Sequence, residues 1–281
     1  MREFTWTCRQ HTIRICSKPL VLGIVNVTSD SFSDGGHHSN AETAIRHAMK
    51  LVEDGADLLD IGGESTRPGA TPIDQQEELA RILPVVKELN RLTRVPLSID
   101  TMKASVAKAC LDAGAIIVND VSGLRDPAMV KVVAESGAGA IVMHMQGTPQ
   151  TMQQKPHYGN VIQEVKDYFA ERLATLTAAG IAPEQLAFDP GIGFGKTQEH
   201  NLRLLARLGD FQSLGRPVCL GASRKGFIGI VTGRPRDERD PATLALSCFA
   251  MAEGTAQILR VHDVRMTVDA VNLWEALNVT G

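Results

Sequence analysis

Eight short apolar runs in this chain each close on a polar or charged residue that a hydrophobic core would not accept. PLVLGIV runs into Asn26, DLLDIGG into Glu64 and Thr66, and VPLSI into Asp100. AIIV ends at Asn119 and Asp120, GAIVM at His144, and QLAF at Asp189. PVCLGA ends at Ser223 and Lys225, while AQILRV carries Arg260 and ends at His262. A stretch long enough for a helix separates each run from the next. Parallel strands covered on both faces read as continuous apolar runs, not as an alternation. The pattern predicts an α/β fold, a (β/α)8 TIM barrel, whose chemistry sits at the C-terminal ends of its strands. It therefore indicates a fold and an active-site face together.

The chain has 281 residues, 43% of them hydrophobic, which is enough for one barrel domain without disulfides or structural metal. Residues 1–281 are read as one domain, with 1–18 as an N-terminal β-hairpin and 19–281 as the barrel. A net charge of -3 and the lack of a Lys/Arg block argue against nucleic-acid binding. Cys8, Cys16, Cys110, Cys219 and Cys248 are scattered, with no CxxC pair. That usage fits reduced, mostly buried thiols in a cytoplasmic enzyme; a Cys8–Cys16 pair across the hairpin is the less favoured alternative. MREFTWTCRQ lacks the apolar stretch of a signal peptide, and no run approaches the ~20 residues of a membrane span.

FTWTC and HTIRIC alternate weakly, as a hairpin would that plugs the N-terminal end of the barrel. Thr28 to Asn40 reads as a long polar loop of the kind that forms a lid. A helix is expected over Ala41–Glu53, and a second after Pro72 with Leu79, Ile82, Leu83, Val86 and Leu89 at helical spacing. LDAG, AESG and TAAG each end a helix on glycine, and Asp126-Pro127 starts one. Gln146–Tyr158 is a second long polar loop.

Asp189, followed by Pro-Gly, could accept two parallel hydrogen bonds from a planar amidine-like edge, or could equally be a turn aspartate. The glycines after it do not make a nucleotide loop, because Pro190 and Lys196 stand where such loops need glycine. They suit a tight turn beside a flat ligand, with Phe194 packed against it. Arg67, Lys225, Arg260 and His262 come from separate strand ends, so a barrel brings these cations to one mouth, where they suit an anion such as phosphate. Asn26 suits Mg2+ if substrate phosphates supply the remaining charge. Asp100 and Asn119, on neighbouring strands, could share a polar ligand edge; Asp100 could instead satisfy helix N-terminal amides. Met143 and His144 face opposite ways on one strand, and Met143 is taken as pocket lining. No zinc spacing or nucleophile-elbow motif is present.

Taken in order, NVTSDSFSDGG, DIGGESTRPG, SIDT, NDVSG, MHMQGTP, DPGIGFGK, SRK and RVHD cover most of the chain and resemble the dihydropteroate synthase family. Ser29 departs from the family's usual proline. The resemblance implies a transferase of folate biosynthesis that joins (7,8-dihydropterin-6-yl)methyl diphosphate to 4-aminobenzoate, by dissociative substitution, and releases diphosphate. It further implies a Mg2+ cofactor held by Asn26, sulfonamide inhibition and a homodimer. Asp34, Asp100, Lys225 and Arg260 are the implied catalytic residues. The pterin diphosphate is assigned to Thr66, Arg67, Asp100, Asn119, Met143, Asp189, Phe194, Gly221, Lys225, Arg260 and His262. The aminobenzoate is assigned to Phe32, Thr66, Arg67, Pro68 and Ser223. Two rivals are a methyltetrahydrofolate barrel serving a corrinoid protein, which should lack SFSDGG, SRK and RVHD, and a degenerate non-enzymatic barrel, which should have lost site residues.

Overall fold

A computed structural model describes residues 2–27, 37–67 and 69–279. The chain opens with an antiparallel hairpin, β1 (Phe4–Cys8) and β2 (His11–Ile15). The eight apolar runs then form parallel strands β3 (Leu20–Asn26), β4 (Leu58–Gly62), β5 (Leu97–Asp100), β6 (Ile117–Asp120), β7 (Gly139–Met143), β8 (Leu186–Asp189), β9 (Cys219–Leu220) and β10 (Ile258–Val261). They lie in the order β8-β7-β6-β5-β4-β3-β10-β9. The two ends of that sheet meet: Phe188 bridges Val218 in parallel, and its N–H donates to the Pro217 carbonyl at 2.9 Å. The sheet is thus a closed barrel.

Helices α1 (His37–Glu53), α2 (Gln75–Leu92), α3 (Ala104–Asp112), α4 (Pro127–Ser136), α5 (Val161–Ala178) and α6 (Gln198–Ala206) follow the first six barrel strands in turn. Both α7 (Gly226–Thr232) and α8 (Asp240–Ala252) follow β9, and α9 (Val264–Val279) follows β10. Helix α2 starts where the Asp74 carboxylate accepts the Glu77 N–H at 2.8 Å, a standard N-cap. It buries Ile82, Val86 and Leu89 of the expected stripe, and also Val85, while Pro84 is accommodated within it. Asp126 caps α4 with Pro127 in its first turn, as expected. One expectation is corrected: α1 begins at His37, so residues 37–40 belong to the helix and not to the loop. His-His-Ser-Asn carries no apolar periodicity, which is why pattern reading starts the helix late. At Gly114 (φ +115) an added Cβ would lie 2.4 Å from the Asn90 amide, so only glycine fits this turn.

Side chains two apart on a strand share a face, and the barrel sorts them cleanly. Val21, Val25, Leu59, Ile61, Ile99, Val118, Val142, Phe188, Leu259 and Val261 face outward, in one core with the helices. Leu22, Leu58, Ile117, Ile141, Ala187, Cys219 and Ile258 face inward and pack on Trp6, Cys8 and Ile15 of the hairpin. The hairpin therefore plugs the N-terminal end. Trp6 is fully buried there, donating from Nε1 to the Gln185 carbonyl at 2.9 Å. All five cysteines are free, which rules out the Cys8–Cys16 alternative, and burial pushes the Cys8 thiol up to about 12.

Candidate active site

The same parity that places the plug places the site. Stepping two residues along each strand from the plug gives Asp60 and Gly62 on β4, Asn119 on β6, Met143 on β7 and Asp189 on β8. It gives Gly221 just past β9, and Arg260 and then His262 on and after β10. On β5 the inward pair is Ser98 and Asp100, and on β3 the series Leu22, Ile24, Asn26 ends at the exposed Asn26. The strand-end residues singled out from sequence thus share one mouth.

Arg260 is its electrostatic centre. Its Nε donates to Asp60 Oδ2 at 2.6 Å and its Nη2 to Asp100 Oδ2 at 2.6 Å. Asp60 is fully buried and also accepts from Ser98 Oγ at 2.6 Å and Asn119 Nδ2 at 2.8 Å. Asp60 was missed in sequence reading because it sits inside an apolar run; a carboxylate at an inward position of a buried strand was the available signal. It orients both Arg260 and Asn119. The Asp100 Oδ1 atom is buried and has no hydrogen-bond partner among the described residues. Burial outweighs the attraction of Arg260, and with repulsion by Asp60 and Glu78 it pushes the Asp100 carboxyl up to about 7.

Beside this network lies an apolar slot of Val121, Met143, Met145, Met152 and Phe194, with Met102 against it. The Lys225 ammonium sits 4.0 Å from the centre of the Phe194 ring, and burial pulls it down to about 8. Asp189 is buried at the slot's edge. Its Oδ1 accepts the Gly191 N–H at 2.7 Å, and burial raises its carboxyl above the ordinary range. Gly191 (φ +69) has no room for a side chain, since an added Cβ would meet the His144 carbonyl at 1.9 Å. Behind the loop, buried Lys196 donates to the Phe194 carbonyl at 3.0 Å and contacts His144 Nδ1 at 3.0 Å. His144, which burial pushes down to about 2, supports this loop; Met143 lines the slot. A Cβ on Gly221 would come 3.0 Å from Asp189 Oδ2. Gly221→Ala is therefore expected to weaken binding of a ligand in this slot about tenfold, or about 1.4 kcal/mol, with little change in Tm. Calorimetry and thermal unfolding on the same sample check this.

The anion side carries a correction. From its place after a strand end His262 reads as one of the cations, but burial, together with Arg224, Arg260, Arg236 and Lys225, pushes it down to about 3. It is a neutral imidazole whose Nδ1 lies 2.8 Å from Ser223 Oγ, and a bound anion would raise its proton affinity. Thr66 is half-buried and Arg67 exposed on the loop after β4. Glu64 does not serve the mouth: Lys103 bridges it to buried Glu78 at 2.6 Å each, and Glu64 Oε1 accepts the Ile73 N–H at 3.1 Å. This ion cluster ties down the base of the loop that carries Thr66 and Arg67. Ser29, Phe32, Asp34 and Pro68 lie outside the described residues. Among the described residues no three His, Cys, Asp or Glu side chains converge as a metal site.

A mouth with this arrangement suits a flat, donor-rich heterocycle attached to an anion. Fold and site together define a barrel enzyme of the pterin-binding class, and residues 22–262 match the family model for pterin binding enzymes. The chain is 45% identical over 260 residues to the dihydropteroate synthase of Escherichia coli strain K12, covering 92% of each chain. A Yersinia pestis dihydropteroate synthase solved with a sulfonamide drug gives a TM-score of 0.91 at 42% identity, over 98% of this chain and 100% of that one. A Burkholderia cenocepacia dihydropteroate synthase complexed with 7,8-dihydropteroate gives 0.89 at 42%, over 100% and 99%. The chain belongs to the pterin binding enzymes and, within them, to the dihydropteroate synthase family. Both rival readings, the corrinoid-serving barrel and the degenerate barrel, fall with that assignment.

Proposed function

We propose that this chain condenses (7,8-dihydropterin-6-yl)methyl diphosphate with 4-aminobenzoate, giving 7,8-dihydropteroate and diphosphate. The observation that carries the reading is the inward set of Asp100, Asn119, Asp189 and Lys225 around one apolar slot. Asp189 presents acceptors to the N3 and 2-amino donors of a pterin. Asn119, oriented by Asp60, and Asp100 read the rest of its polar edge. Met143 and Phe194 line its faces, Gly221 leaves room at its edge, and Lys225 packs on Phe194.

Arg260 joins the pterin end to the diphosphate end, where Thr66, Arg67 and neutral His262 supply donors. Loss of diphosphate leaves positive charge on the pterin methylene, which Asp100 and Asp34 stabilise. The arylamine, held by Phe32, Thr66, Arg67, Pro68 and Ser223, attacks that carbon and then releases a proton. Asn26 offers one neutral oxygen, which fits an ion carried in by the diphosphate better than a resident one. Mg2+ held by Asn26 and the diphosphate would supply charge that favours the leaving group. Sulfonamides, which resemble the arylamine, take its place; the complex of the Yersinia pestis enzyme supports this.

The test is diphosphate release with both substrates present. Release that needs both, with dihydropteroate formed in equal amount, is expected; no release, or release indifferent to the arylamine, overturns the reading. Binding is also expected to be ordered, because the second-substrate site includes loop residues that the diphosphate organises. The affinity of 4-aminobenzoate should rise at least tenfold when Mg2+ and diphosphate are added, and equal affinity by calorimetry would rule this out.

Two further features belong to the proposal. Ile230 and Val231 on α7, Phe249 on α8, and Leu273 and Leu277 on α9 are exposed, an apolar face that supports a homodimer. Scattered free cysteines support a cytoplasmic location, and among the described residues no helix is long and apolar enough to cross a membrane.

A further inference from the structure

Arg224 stands between two residues of the site, Ser223 and Lys225, and adopts a left-handed backbone (φ +55) that side chains other than glycine rarely take. Its backbone N–H, its carbonyl and one edge of its guanidinium are held by the start of α8. Its guanidinium forms a fork on Asp240, Nε to Oδ1 at 2.7 Å and Nη2 to Oδ2 at 2.6 Å. Its N–H donates to Thr243 Oγ1 at 3.1 Å, and that hydroxyl donates onward to the Arg239 carbonyl at 3.0 Å. Its carbonyl accepts from Arg239 Nη1 at 3.2 Å, and the same Nη1 reaches the Lys225 carbonyl at 3.4 Å. Arg239 lies against Gly229, where an added Cβ would fall 2.1 Å from Nη2.

Strained backbone persists only where its surroundings over-determine it. Here the surroundings are the first turn of α8, which reaches the site through the Arg224 and Lys225 backbone. On one side of the strained residue, Ser223 meets His262 at 2.8 Å; on the other, Lys225 packs over Phe194 at 4.0 Å. We propose that Arg239, Asp240 and Thr243 are positioning residues that clamp Arg224 in its left-handed state and thereby hold Ser223 on His262 and Lys225 over Phe194. The Arg224 guanidinium, forked on Asp240 through Nε and Nη2, serves as the handle of the clamp. This inference rests on the function proposed above.

Glycine takes a positive φ without strain, so Arg224→Gly should make the clamp dispensable. The experiment is a double-mutant cycle of Asp240→Asn with Arg224→Gly on the full chain, read by steady-state kinetics with both substrates. In the wild-type background Asp240→Asn is expected to lower kcat/KM about tenfold, with KM raised for both substrates. In the Arg224→Gly background the same change is expected to matter less than twofold. Equal losses in both backgrounds overturn the clamp, as does tighter binding of diphosphate to the Asp240→Asn variant, which would make Asp240 a brake on an anion-binding Arg224. If Asp240→Asn does not fold, Thr243→Val takes its place with the same expectations. The wild-type assay judges the functional reading alone. Should it show no turnover, the clamp is judged by thermal unfolding: Asp240→Asn must lower Tm in the wild-type background and not in the Arg224→Gly background.

Discussion

Arg260→Met is expected to destabilise the protein by about 3–5 kcal/mol, because it strips the counter-charge from two buried carboxylates at once. Asp60 is fully buried and Asp100 keeps 13% of its side chain exposed, and each accepts from the guanidinium at 2.6 Å. The deficit should also depend on pH. The folded-state value of Asp100, about 7, stands above its ordinary 3.8, so its contribution to stability is full below about pH 4 and lost as pH rises through 7. Without Arg260 the ionised form loses its attraction and the carboxyl rises further. The difference between variant and wild type should therefore be widest above pH 7 and narrow on acidification as Asp100 takes up its proton. Urea melts at about pH 5 and pH 8.5 measure this; a deficit of the same size at both would remove Asp100 from the network.

Asp189→Asn is expected to weaken pterin binding by about 2–4 kcal/mol, roughly 30- to 1,000-fold. One carboxylate oxygen is already engaged by the Gly191 N–H at 2.7 Å, and the other faces the open edge made by Gly221. An amide in this place either turns its NH2 toward Gly191, donor against donor, or turns it toward the ligand's own donors. Either leaves a buried clash that water cannot relieve. Calorimetry with the pterin diphosphate gives the number, and near wild-type affinity would take Asp189 out of the site. Circular dichroism of the variant separates that outcome from misfolding.

All eight barrel strands were legible because each is a local apolar run, and the polar residue ending each run marked the mouth. Most of the candidate site followed from the same reading: Asn26, Asp100, Asn119, Asp189, Lys225 and Arg260 all lie at or just beyond strand ends on the inward side or in the loops above it. The start of α1 was read late because a polar first turn has no periodicity. Asp60 and Ser98 were missed for a different reason. They lie within apolar runs, and only the pairing of β4 with β5 places them side by side, at 2.6 Å.

What the sequence by itself determined is the barrel, its plug and the end that holds the chemistry, since these depend on hydrophobic periodicity over five to ten residues at a time. Charge states and partners were decided only in the tertiary structure. Arg260 meets Asp60 and Asp100 across 200 and 160 residues of chain. Burial makes His262 a neutral hydrogen-bonding group where its position alone suggested a cation. Lys196 reads as part of a ligand loop, yet it is buried beneath that loop on His144 and Phe194. The physical reason is common to all three: proton affinity and ion pairing follow from desolvation and from charges close in space, and neither is a property of a short stretch of sequence.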